Sequence, residues 1–148
     1  MKNLDEKDRK ILENLKENSD LTTRQISKRT TIPITTVHNR IKKMEERGII
    51  KKYTIIPDYK KLGKEIAAFI LVEVEYPKSK EEFSQEHVAR EIDKYGQVEQ
   101  VSMVTGETDI VIKVRTESVD KLNYFLTKKL REIEGVDGTE TMIVLKEI

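Results

Sequence analysis

Six polar side chains between Thr35 and Lys43 carry the clearest chemistry in this sequence. Thr35, Thr36, His38, Asn39, Lys42 and Lys43 fall on one side of a helix-spaced segment, residues 31–48, which Pro33 opens at the first helical position and Gly48 closes. Ile34, Val37, Ile41 and Met44 form an apolar stripe on its other side. The polar side combines hydrogen-bonding groups with positive charge and holds no carboxylate before Glu45 and Glu46 in the last turn. Such a face suits base edges and phosphates. Asn bonds adenine through two atoms, Thr offers a hydroxyl and a methyl, and Lys favours guanine acceptors, so Thr35, Thr36, His38, Asn39 and Lys42 are the base-contact candidates. Arg24, Lys28, Arg40, Lys43 and Lys51 are the phosphate-contact candidates. Arg40 has a second reading, because it flanks the apolar stripe and can pair with Glu45 or Asp5. The competing reading of the whole face is an ordinary solvated surface, and this segment alone does not choose.

Other chemistries lack their residues. The chain has no cysteine, and its two histidines, His38 and His87, are far apart, so no metal and no cofactor are expected. No Gly-rich phosphate loop and no nucleophile-elbow serine occurs, which argues against an enzyme. Aromatic residues make up 5 % of the chain, and the first 61 residues hold just Tyr53 and Tyr59, a poor platform for stacking single-stranded bases. One turn is a ligand candidate: Thr105, Gly106, Glu107, Thr108 and Asp109. There glycine permits close backbone approach, and a carboxylate can receive an amino acid's ammonium group. A hairpin turn with a capping aspartate explains the same residues, and both readings stand.

The charge balance divides the chain. The formal net charge is +1, but residues 1–61 carry 16 Lys and Arg against 9 Asp and Glu, net +7, and residues 62–148 carry 12 against 18, net −6. Two modules with different partners follow. The longest apolar run, Ile66 to Val72, is too short to span a bilayer, and MKNLDEKDRKIL has no apolar signal core, so a cytoplasmic location is expected.

The elements that must position these residues are legible. Leu4 to Asn18 reads as a helix capped by Asp5, with Ile11, Leu12 and Leu15 inward. Thr22 and Gln25 form a capping box, with Leu21 before it, for a helix carrying Ile26 and ending near Thr30. A short connection, Thr31 and Ile32, then leads into the basic helix. Helix, helix, turn, helix is the helix-turn-helix order. IIKKYTIIPD reads as a strand or wing, with Lys51 and Lys52 placed to touch a phosphate backbone.

Beyond 58–64 the period changes. The spacing predicts a strand over 65–76 and a helix opened by a Ser79/Glu82 capping box that runs to about Lys94 with Phe83, Val88 and Ile92 inward. It then predicts strands over 97–105 and 109–115. A helix from Ser118 through Ile133, stopped by Gly135, and a strand over 139–146 complete the order βαββαβ. The fold class is α+β: a winged helix-turn-helix domain (1–57), a linker (58–64) and a ferredoxin-like domain (65–148). The first and last strands are apolar on both parities, so the sheet face without helices is expected to meet a second subunit, giving at least a homodimer.

With these motifs in order, the sequence resembles the Lrp/AsnC (leucine-responsive, feast/famine) transcription regulators, as an archaeal-like member. LDEKDRKIL with LKEN is similar to the family's first helix, and TTRQISKRT with ITTVHNRIKKMEERGIIKKY to its helix-turn-helix and wing. YGQVEQVSMVTGETDIVIKV is similar to its strand, glycine turn and acidic residue, spaced Gly106-x-x-Asp109. Two positions depart from the pattern: Thr31 stands where the family usually has glycine, and Pro33 where it usually has a capping serine. The resemblance implies a regulator that binds palindrome-like double-stranded DNA as a homodimer, tetramer or octamer. It further implies a C-terminal domain that assembles the oligomer and takes an amino-acid effector, with the basal transcription machinery as a further partner. The alternative function is a small-molecule sensor or assembly module whose basic domain binds RNA or protein.

Overall fold

A computed structural model describes residues 4–75 and 84–147. The chain divides into two units, Met1–Pro57 and Asp58–Ile148.

The first unit is built from capped amphipathic helices. Asp5 is extended, and its carboxylate accepts the N–H of Asp8 at 2.9 Å while the Asp8 carboxylate accepts the N–H of Asp5 at 3.2 Å, which starts α1 (Glu6–Glu17). Thr22 and Gln25 cap α2 (Thr23–Thr30) in the same reciprocal way, at 3.2 and 2.8 Å. The basic helix is α3 (Ile34–Glu46). Ile11, Leu15, Ile26, Ile32, Val37 and Met44 form the buried core, bordered by Leu4, Leu12, Leu21, Ile41, Ile49 and Ile50.

Three details of α3 differ from expectation. Pro33 occupies the N-cap position, with ψ 140°, and not the first helical position, so the helix starts without a side-chain cap. Ile34 does not join the apolar stripe: it is the first helical residue and is 46 % exposed. The α2–α3 turn is closed by Thr31 at φ 57°, ψ 24°, the left-handed conformation that glycine adopts without penalty and a β-branched residue does not. At the far end Gly48, at φ 67°, takes the same conformation. It donates to the Glu45 carbonyl at 2.9 Å and Ile49 donates to the Met44 carbonyl at 2.9 Å, a Schellman stop.

The segment read as a strand or wing does not form a strand. Among the described residues no ladder forms over 49–57. The β-branched residues favour extended backbone, but a strand also needs a partner, and the unit supplies none. Instead the Tyr53 hydroxyl donates to Glu45 at 2.8 Å and the Ser19 hydroxyl to the Thr54 carbonyl at 3.2 Å. Ile55 and Ile56 are left 82 % and 96 % exposed.

The second unit is a four-stranded antiparallel sheet of order β2-β3-β1-β4, made by β1 (Ile66–Val74), β2 (Val98–Met103), β3 (Ile110–Thr116) and β4 (Val136–Ile143). With α4 (Gln85–Asp93) and α5 (Val119–Lys128) this is the βαββαβ order. Ala68, Ile70, Val72 and Val74 of β1 and Ile110, Ile112 and Val114 of β3 share a core with Val88, Ala89 and Ile92 of α4 and Leu122 and Phe125 of α5.

Boundaries shift where tertiary pairing overrides pattern. The helix predicted from Ser79 begins at Gln85, capped by the Ser84 hydroxyl, which accepts the His87 N–H at 3.2 Å; Ser79, Glu82, Phe83 and Tyr76 lie outside the described residues. The helix predicted through Ile133 breaks at Lys129 (φ −130°, ψ −62°) into a 3-10 turn, Leu130–Glu132, which keeps Leu130 buried. The last strand begins at Val136, because Val136 and Gly138 pair with β1 across an irregularity that carries Asp137 between them, despite the weak strand preference of Asp and Gly.

The sheet face away from the helices is also not uniformly apolar. Phe69 and Met142 are part of it, but so are Lys113 and Arg115. Arg115 bonds Glu99 at 2.8 Å and Glu147 at 2.5 Å, and its guanidinium lies 4.0 Å from the Tyr59 ring centre. Arg115 and Lys113 (2.8 Å from Glu147) hold the Glu147 carboxyl down to about 2.

The strain at Thr31 is testable. Relieving a left-handed β-branched residue is worth about 1–2 kcal/mol, against about 0.4–1 kcal/mol lost because glycine loosens the unfolded chain. Thr31→Gly therefore raises the melting temperature of the first unit, followed by circular dichroism; a lower one would show that Thr31 is unstrained.

Candidate nucleic-acid interface

The candidate surface follows from how α3 is seated. Val37 and Met44 are buried and Ile41 is half-buried, so the helix turns Thr35, His38, Asn39, Lys42 and Lys43 outward, all exposed, with Thr36 half-buried at the edge. Four of the five base-contact candidates therefore stand fully clear of the core. Lys42 has one intrahelical neighbour, Glu46 at 3.9 Å, a weak surface pair that does not occupy it. Arg24, Lys28, Lys43 and Lys51 are exposed and, among the described residues, make no ion pair. Arg24 and Lys28 come from α2, and Lys51 from the segment after α3.

Arg40 leaves the phosphate-contact set. Its Nη1 bonds Asp5 at 2.6 Å and Asp8 at 2.7 Å, the two carboxylates that cap α1, and its side chain is only 25 % exposed. It ties α3 to the start of α1. The Asp5 carboxyl is lowered from its usual 3.8 by the Asp8 backbone N–H and then by Arg40, and Arg40 is raised in turn by both aspartates. Of this clamp, sequence reasoning had Arg40–Asp5 as the second reading of Arg40, from its position flanking the apolar stripe; it missed Asp8, read only as a first-turn residue, and the other partner it weighed, Glu45, accepts the Tyr53 hydroxyl instead. Beside the clamp lies a shallow concavity of about 390 Å³ lined by Thr36, Asn39, Lys43 and Arg47 as well as the clamp residues.

In the second unit the turn between β2 and β3 is held from inside. Gly106 is at φ 128° with open space where a Cβ would stand. Asp109 accepts the Val74 N–H on Oδ2 at 2.8 Å, donates its own N–H to the Val72 carbonyl at 3.1 Å, and its carbonyl accepts both the Val104 N–H and the Gln85 amide. The aspartate thus closes the ends of β1 and β3, the role of the capping reading. Thr105 and Glu107 are exposed and Thr108 is half-buried. Among the described residues no group of three His, Asp or Glu side chains is arranged for a metal ion, and no helix is long and apolar enough to cross a membrane.

Comparison with known proteins bears on both units. Residues 4–51 match the family described as winged helix-turn-helix DNA-binding, and residues 67–148 the Lrp/AsnC ligand binding domain. The chain is 43 % identical over 143 residues to the HTH-type transcriptional regulator FL11 of Pyrococcus furiosus, covering 97 % of this chain and 90 % of that protein. Among solved structures, Escherichia coli AsnC superposes with a TM-score of 0.82 at 30 % identity, covering 98 % of this chain and 94 % of AsnC. A Neisseria meningitidis transcriptional regulator solved as a complex with L-Met gives 0.88 at 29 %, covering 99 % and 92 %.

The clamp predicts a pH-dependent stability difference. Because the folded pKa of Asp5 lies below its usual value, the stabilisation is complete above that value and is lost as the pH falls through the folded one. Arg40→Ala should cost about 1 kcal/mol at neutral pH, screening included. In urea titrations the gap to the parent protein should narrow below about pH 4; a gap constant to pH 3 would rule out the carboxylate pairing.

Proposed function

We propose a mode of action for this chain, which belongs to the Lrp/AsnC family of transcription regulators: α3 enters the DNA major groove and reads bases there. The protein is a helix-turn-helix DNA-binding regulator and not an enzyme. The observation that carries the reading is the outward, acid-poor face of α3, exposed while its opposite side is locked into the core. In this reading Thr35, Thr36, His38, Asn39 and Lys42 contact bases, and Arg24, Lys28, Lys43 and Lys51 contact phosphates. With no side-chain cap, the first-turn N–H groups of α3 are open to a phosphate as well. Residues 1–57 act as the DNA-binding domain, 58–64 as linker and 65–148 as the assembly and effector domain. The family match favours duplex DNA over the RNA- or protein-binding alternative.

The family assembles into oligomers, and we place a homodimer here, with its subunits on the two halves of a palindrome-like site. The support is Phe69, Leu71 and Met142 on the sheet face that α4 and α5 leave open. Amino-acid regulation is the second part of the proposal. It is supported by the ligand-binding family match and by the L-Met complex of the Neisseria protein. The open turn at Thr105, Gly106, Glu107 and Thr108 offers the approach, with Asp109 fixing the turn. Calorimetry with each of the twenty amino acids tests it: heat from at least one, abolished by Gly106→Val, is expected, and no heat from any would remove the effector.

Base and phosphate contacts separate in binding assays. Asn39→Ala should weaken a selected cognate duplex by about 1–3 kcal/mol and relax its preference while leaving random duplex unchanged. Lys43→Ala should weaken both alike and lower the salt dependence of log K by roughly one. Gel shifts at several salt concentrations check both; equal losses for Asn39→Ala on cognate and random DNA would overturn its role.

A further inference from the structure

A second concavity lies in the other unit, away from the β2–β3 turn. It is a cleft of about 380 Å³ where the segments following α4 and β3 meet α5, and Lys64, Lys121 and Lys129 line it together with Tyr95, Tyr124 and Glu117. The unit around it is acidic, with 14 Lys and Arg against 19 Asp and Glu over residues 58–148, net −5. The cleft has the opposite balance. Arg115 also reaches it, but that charge is neutralised by Glu99 and Glu147. Lys64, Lys121 and Lys129 make no ion pair among the described residues, although the unit has carboxylates in excess.

The three lysines come from three separate segments. Lys64 ends the turn before β1, Lys121 is in the first turn of α5, and Lys129 stands where α5 breaks out of helical geometry. Gathering like charges in one concavity costs free energy that no ion pair among the described residues returns, Glu117 being the single carboxylate in the lining, whereas a bound anion would return it. Ammonium groups are point-charge partners for phosphate oxygens and would repel the ammonium of a free amino acid, so the ligand class differs from the effector proposed above. The size is at the lower end for small-molecule sites, roughly 300–1,000 Å³.

We propose that this cleft binds a small phosphate-bearing molecule, held by Lys64, Lys121 and Lys129. Inorganic pyrophosphate is the probe, titrated calorimetrically into the full chain at low salt. Saturable binding of one equivalent per chain is expected, at least tenfold weaker in Lys121→Gln/Lys129→Gln and unchanged in Lys43→Gln on α3. Both lysines of the double variant are exposed, so its melting temperature should match the parent, and Lys121→Arg/Lys129→Arg should retain binding. Glu117→Gln should tighten binding several-fold. Absence of saturable binding, or a loss seen in Lys43→Gln and not in the double variant, would overturn the proposal, the latter by placing the anion on the DNA-facing lysines.

Discussion

The guanidinium of Arg40 sits between two carboxylates that already cap another helix, and the direction in which α3 turns its outer face depends on that arrangement. Magnitudes divide the work. Burial of Val37 and Met44 contributes about 1.5–3 kcal/mol each and holds α3 against the core. A partly exposed ion pair contributes about 0–1 kcal/mol, too little to seat a helix. Its value is directional: two short bonds from one nitrogen to the first turn of α1 restrict how far α3 can roll about its axis. A roll of one residue position would exchange Asn39 for Arg40 on the outer face.

The ends of α3 are handled differently. Its C-terminus has the full glycine stop, with Gly48 left-handed and Ile49 and Ile50 both donating to the Met44 carbonyl. Its N-terminus has a β-branched residue in the left-handed region and a proline in the cap position, so neither usual device is present. The strained turn at Thr31 leads directly into Ile32, which is buried in the core. Thr31 and Pro33, the two departures from the family pattern named in the sequence, both stand at this end.

The second unit separates its tasks by face and by end. One sheet face is closed by α4 and α5 over a wholly apolar core. The other carries apolar side chains in one part and the Arg115, Lys113, Glu99, Glu147 knot in another, so one segment before the sheet (Tyr59) and one after it (Glu147) are anchored on the same arginine. Strands apolar on both parities led to the expectation that both faces are covered, but the alternation could not reveal that Arg115, an outward position, would itself be buried by that knot.

Local chemistry was legible in the sequence wherever a short-range rule decides: the Asp5 and Thr22 caps, the Gly48 stop, the stripe of Val37, Ile41 and Met44, the Ser118 cap, and the βαββαβ order all follow from residues within one or two turns of each other. So was the acid-poor face of α3. Tertiary structure decided what depends on partners distant in sequence. It took Arg40 from phosphate duty, because Asp5 and Asp8 lie 35 and 32 residues away. It assigned Asp109 to the ladder through Val74, 35 residues off, left the 49–57 segment without a strand partner, and moved β4 into register with β1. It also gathered Lys64, Lys121 and Lys129 into one cleft. The physical reason is common to all of these: a cap or a helical stripe is specified by neighbours along the chain, whereas a charge's role is set by whichever opposite charge or backbone donor the fold brings within about 3 Å.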